Sequence, residues 1–228
     1  MGMRSHRRGK GSKFHRKGRF HRVFFAIFAT AMDIYMIRHT SVDVPKGTCY
    51  GHTDVSVAAS FEQEAEAVRE HISGIAFDKV FTSPLSRCRQ LAAFCGFPNA
   101  QVDERLREIN FGAWEMRTFD DLFVHEPDFA QWCEDGRYIY QNPPGGESMA
   151  DVLARFDDFL REQICGKPFQ CVALFCHGGL LSLAEGRRKG GAAIDADLTM
   201  FPYGHVLRLS EQELRPREGT HFVTPSRE

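Results

Sequence analysis

The spacing of apolar residues changes several times along the chain, and each change marks an element. Asp33-Ile34-Tyr35-Met36-Ile37 is short and rich in strand formers, and the polar residues after it read as a loop at the strand's carboxyl end. Phe61, Ala65, Val68 and Ile72 recur at i, i+4, i+7 and i+11, which predicts a helix with one buried stripe, ended by Gly74. Lys79 to Thr82 reads as a second strand, with Ser83 as N-cap and Pro84 as the first residue of a helix running to about Phe94. Ser148 to Ile164 carries another helical stripe, through Val152, Phe156, Phe159 and Leu160. Cys171 to Cys176 is apolar at every position, as a central strand covered on both faces requires.

Two stretches interrupt this order. Residues 103–146 carry only short helical patterns, near Thr118 to His125 and Asp128 to Glu134, and close on Asn142-Pro143-Pro144-Gly145-Gly146. An insertion over a site explains them better than a linker between domains. After His177-Gly178-Gly179 the expected apolar helix meets Glu185-Gly186-Arg187-Arg188-Lys189-Gly190-Gly191, which reads as a solvated loop. The alternation of strands and helices predicts an α/β protein, a three-layer α/β/α sandwich with a mostly parallel central sheet.

With 228 residues and 43% hydrophobic content the chain can bury one substantial core. The formal charge of −1 hides a division, because residues 1–31 hold nine Lys or Arg and no acid, leaving 20 basic against 30 acidic residues in the rest. Residues 1–31 are therefore expected to be a basic extension, disordered or upstream of the natural start at Met32, and residues 32–228 one catalytic domain. Val23 to Ala31 has the shape of a secretory signal, yet cleavage at Ala31 would leave almost no spacer before the first strand. An acidic body argues against nucleic-acid binding. No apolar run is long enough to span a bilayer. The seven cysteines form no C-x-x-C pair and no zinc spacing, so a reducing, cytoplasmic setting is expected.

The candidate chemistry sits at strand ends. Met36-Ile37-Arg38-His39-Thr40 and Phe175-Cys176-His177-Gly178-Gly179 each take a buried strand into a histidine, and the Gly-Gly offers free backbone N–H groups beside it. Ser83-Pro84-Leu85-Ser86-Arg87 brings a further cation to the same rim. Two imidazoles, two guanidiniums and backbone donors are the equipment of a phosphate site.

These motifs together resemble the histidine phosphatase, or phosphoglycerate mutase-like, superfamily. Arg38-His39-Thr40 is similar to its R-H-G signature apart from Thr40, and the segments ending in Arg87 and His177 are similar to its second arginine and second histidine motifs. Leu106-Arg107-Glu108 through Glu115 resembles the segment that supplies the acid, and Pro144-Gly145-Gly146-Glu147-Ser148 another recurring motif. The resemblance implies a phosphoglycerate mutase-like fold and a phosphohistidine formed on His39, with Arg38, Arg87, His177 and Gly178 holding the phosphoryl group. His177 is expected to be protonated beside the dianion. Glu108 is implied as the proton donor, with Glu115 and Glu147 as rivals, and neither metal nor cofactor is called for. Thr40, Tyr50 and His52 are placed in the loop over the site; His71, His125 and His205 are given no role.

Within the superfamily, Cys49 to Asp54 and Ser83 to Ala92 look most like α-ribazole phosphatases of cobalamin biosynthesis. That implies a small phosphomonoester substrate and no membrane partner, with a homodimer as the candidate assembly. A phosphoglycerate mutase, a broad sugar-phosphate phosphatase and an inactive phosphate-binding regulator are the alternatives.

Overall fold

The structure, a computed structural model, describes residues 1–2, 32–134, 137–190 and 199–216. The signal, tail and start-codon readings of residues 1–31 thus lie almost wholly outside the described residues.

Strands β1 (Asp33–Arg38), β2 (Lys79–Thr82), β3 (Gln101–Val102), β4 (Cys171–Cys176) and β5 (Val206–Ser210) form one sheet in the order β3-β2-β4-β1-β5. β1, β2, β3 and β4 all run parallel to one another, and only β5 is antiparallel, paired to β1. Together with the helices this is the expected α/β/α sandwich. β4 sits at the centre, and its side chains divide by alternation. Val172, Leu174 and Cys176 join one core with helices α5 (Met149–Phe159) and α6 (Gly178–Arg188); Ala173 and Phe175 join the other with α1 (Phe61–His71) and α2 (Ser86–Phe94). An all-apolar strand is therefore what two buried faces need, each large side chain contributing about 1.5–3 kcal/mol.

α1 buries the stripe expected of it, through Ala65, Val68 and Ile72. α5 begins at a reciprocal capping box between Ser148 and Asp151, and the last five residues of the expected helix, Leu160–Ile164, widen into a π turn. Helices α3 (Phe119–His125) and α4 (Pro127–Glu134) lie in the insertion, which has a small core of its own around Trp114, Leu122, Phe129 and Trp132. No helix among the described residues is long and apolar enough to cross a membrane.

Two expectations are corrected. α2 starts at Ser86, not at Pro84, because Ser83 still belongs to the sheet: its N–H donates to Phe175 O at 2.9 Å. The helix is started instead by Asp54, whose Oδ1 accepts from both the N–H and the hydroxyl of Ser86 at 2.8 Å. The run from Glu185 is not a loop either. α6 continues through Arg188, since Arg187 is buried against Asp157 (2.5 Å) and the Leu214 carbonyl (2.7 Å), at the end of helix α7 (Glu211–Leu214). Glu185 holds Arg188 at 2.6 Å within the same helix.

Candidate active site

Register brings the distant motifs together. Arg38 at the end of β1 is opposite Cys176 at the end of β4, and His39 N donates to Cys176 O at 3.1 Å. The rings of His39 and His177 consequently lie 5.2 Å apart, centroid to centroid. From β2, the Ser83 hydroxyl reaches His177 Nε2 at 2.8 Å, with the Cys88 thiol 3.5 Å from the same nitrogen.

His39 is almost fully buried, and its Nδ1 is 2.7 Å from the Thr40 carbonyl. A carbonyl can only accept, so Nδ1 carries the proton and Nε2 keeps its lone pair. Burial, then the Arg87 charge, pulls the His39 pKa down to about 3 against the upward pull of the Thr40 bond, with Arg38 adding a smaller downward push. The imidazole is therefore neutral at any ordinary pH, with its Nε2 lone pair free. His177 is also held well below its usual value, by burial and then by Arg87, His39, Arg155 and Arg38. On its own it is neutral, so the protonated His177 expected from sequence requires the phosphate dianion to bring the charge.

These two depressions carry a stability consequence. Unfolded, each histidine titrates near its ordinary value of 6.5; folded, each resists protonation. Stability is thus fully present above about pH 6.5 and declines as pH falls towards the folded values, by up to about 1.4 kcal/mol per pH unit for each histidine. Urea denaturation at about pH 7 and about pH 5 should show this decline. It should be smaller in His177→Asn; an identical decline in both proteins would refute the assignment.

The arginines are anchored by their ends. Arg87 is 0% exposed, with Nη1 donating to Thr53 O (3.0 Å) and Nη2 to Gly51 O (2.7 Å). Arg38 donates through Nη1 to Phe201 O, and Gly178 makes room for it, since a Cβ there would stand 3.2 Å from the Arg38 Cζ. Arg38 Nε, Arg87 Nε and the Thr40 hydroxyl are buried and have no protein partner. An unpaired buried group costs about 1–3 kcal/mol, more when charged, so the two guanidinium Nε–H groups, whose charges act on both imidazoles, call for a shared acceptor.

The three candidate carboxylates separate by their partners. Glu115 accepts from His52 N (2.7 Å), Thr53 N (2.6 Å), Phe111 N (3.1 Å) and the Thr53 hydroxyl, bonds that favour its charged form and bind it into the loop. Glu147 is taken by Arg155 (2.9 Å) and Asn110 N (3.0 Å). Glu108 instead reaches the second histidine motif: its Oε2 accepts from Gly179 N at 3.1 Å and its Oε1 from Ile109 N at 3.0 Å. Gly179 permits this, because a Cβ there would overlap Oε1. Arg155 fixes the strand of chain behind Glu108 by donating to the carbonyls of Arg105 (2.7 Å), Arg107 (2.8 Å) and Glu108 (2.9 Å).

Of the loop residues, Tyr50 lies over the site, its ring 5.4 Å from the Arg87 Cζ. His52 turns towards Glu147, 3.5 Å from its Oε2, and burial lowers its pKa. Sequence reasoning missed Tyr203, which packs on Arg38 and His39, and Arg155 behind Glu108. It also gave Ser83 a capping role where the structure gives it His177. Each of these depends on a partner more than 40 residues away, so no local spacing marks them.

The sequence pattern of the histidine phosphatase superfamily (branch 1) matches residues 34–216. The chain belongs to the histidine phosphatase superfamily. Its members work through a phosphohistidine, and this chain is an enzyme of that phosphatase class. It is 27% identical over 164 residues to the adenosylcobalamin/alpha-ribazole phosphatase of Escherichia coli, covering 70% of this chain and 80% of that protein. Among solved structures it is similar to mycobacterial glucosyl-3-phosphoglycerate phosphatase (TM-score 0.70, 25% identity, 81% and 95% of the two chains). The alpha-ribazole phosphatase of Shigella flexneri shares the fold (TM-score 0.70, 24% identity, 78% and 89% of the two chains).

Proposed function

We propose that the chain is a phosphomonoesterase that removes the 5'-phosphate of α-ribazole phosphate. The reaction assigned to the site follows from its donors. The phosphoryl group lies between Arg38 and Arg87, where its nonbridging oxygens accept from the two Nε–H groups and the Thr40 hydroxyl. Nε2 of His39 attacks phosphorus, the bond from phosphorus to the alcohol oxygen breaks, and Glu108 gives that oxygen its proton. Water then attacks the phosphohistidine, Glu108 takes the proton back, and the bond to Nε2 breaks. His177 and the N–H of Gly178 complete the cradle. The observation that carries this reading is the set of buried, unpartnered donors around a histidine whose Nε2 is unprotonated. The α-ribazole assignment draws on the Escherichia coli relative.

A phosphomonoester panel tests it. Inorganic phosphate release should be fastest for α-ribazole 5'-phosphate, by at least about tenfold in kcat/KM over sugar phosphates. A sugar phosphate in first place would favour the second reading, which the glucosyl-3-phosphoglycerate phosphatase likeness supports. Isomerisation of phosphoglycerate without phosphate release would make the chain a mutase, and no turnover of any ester a binding protein.

The Glu108 assignment also bears on a neighbour. Gly179→Ala should push the carboxylate out of register and lower kcat by about 10²-fold, with the circular dichroism spectrum preserved. Unchanged turnover would show that the close approach to Gly179 is incidental.

A further inference from the structure

Phosphate chemistry leaves two tyrosines at the rim unexplained. The Tyr203 ring lies 4.2 Å from the Arg38 Cζ and 5.6 Å from the His39 ring. The Tyr50 ring covers Arg87 on the other side, and the two hydroxyls meet at 2.8 Å although 153 residues separate them. From Arg38 through Tyr203 and Tyr50 to Arg87 the contacts form one arch over the phosphate-holding guanidiniums.

Both feet of the arch are fixed. Gly204 N donates to His39 O at 3.1 Å, next to Tyr203. On the other side Cys49 exchanges backbone bonds with Arg117 and Met116 (2.8 and 2.7 Å), and Glu115 ties down His52 and Thr53. The rings are thus set in place before any substrate arrives, which lowers the ordering cost of packing against them. A tyrosine that only shielded an arginine would need no solvent-facing surface, yet Tyr203 is 39% exposed. The hydroxyls already engage each other, so what the pair offers an incoming molecule is chiefly its ring faces.

We propose that Tyr50 and Tyr203 are a specificity-determining pair: an aromatic wall that selects phosphomonoesters whose alcohol carries a planar ring. The proposal rests on the phosphatase reading above and extends it to the alcohol. Stacking on an aromatic face tolerates many flat heterocycles, whereas a sugar asks for hydrogen-bond partners that this wall has already committed to itself.

The test compares α-ribazole 5'-phosphate with ribose 5-phosphate, which both release a primary alcohol and differ in the ring. In the wild type the ratio of their kcat/KM values should favour the ring-bearing ester. Tyr203→Leu and Tyr50→Leu should each reduce that ratio about tenfold, equal to about 1.4 kcal/mol, mostly through KM. Tyr203→Phe, which keeps the ring, should retain it. A ratio unchanged in the leucine variants, with hydrolysis intact, overturns the aromatic wall alone. Failure of the wild type to hydrolyse either ester overturns the phosphatase reading and this proposal with it. Should Tyr203→Leu not fold, Tyr50→Leu carries the same expectation from the opposite loop.

Discussion

Replacing His39 with alanine should abolish the phosphoenzyme and reduce kcat by at least about 10⁴-fold. The size follows from the chemistry assigned to Nε2. Without it water must displace the alcohol directly, and no other group described in the site offers an unprotonated nitrogen fixed by a bond at its other ring position. His177 is a poor substitute, because its Nε2 faces the Ser83 hydroxyl. Rapid quenching with a phosphorus-labelled ester should trap an acid-labile phosphoprotein in the wild type and none in His39→Ala. A trapped species of equal amount in the variant would move the nucleophile elsewhere.

The second large effect belongs to Glu108. Glu108→Gln keeps the shape and the bond from Gly179 N but removes the transferable proton, and a positioned acid is worth about 10²–10⁴-fold. The loss should depend on the leaving group. An alkyl alcohol needs the proton as its oxygen departs, whereas a nitrophenolate leaves well without it. Rates across a series of aryl and alkyl phosphates should therefore diverge in the variant, steepening the dependence on leaving-group pKa. Equal slowing across the series would remove Glu108 as the acid, and Glu115 and Glu147 are poor replacements because each is already held by several donors.

The fold was legible where a residue's surroundings are written in its near neighbours. The unbroken apolar run of β4 and the i, i+4, i+7 stripe of α1 report local period, and period reports burial. Strand-end His39 and His177 were legible for the same reason: the residue type changes abruptly where the strand leaves the core. β3 gave no such signal, being two exposed residues long. The continuation of α6 was hidden because Arg187 looks solvated until Asp157, thirty residues earlier, is brought against it. Glu108 could be told from Glu115 and Glu147 only once their donors were placed. Tyr203 was invisible in the same way, since its meaning comes from Tyr50 and Arg38, which it touches although the nearer in sequence lies 153 residues earlier.

The sheet order also bears on synthesis. Among the described strands, β1 is made first and finds both its partners in β4 and β5, the last two to leave the ribosome. Closing such distant segments is entropically slow, and the apolar strand stays without neighbours in the meantime. A nascent chain halted at residue 170 would already carry Arg38 and His39 but have no template to align them, leaving Ile34, Met36 and Ile37 exposed to chaperones or to aggregation.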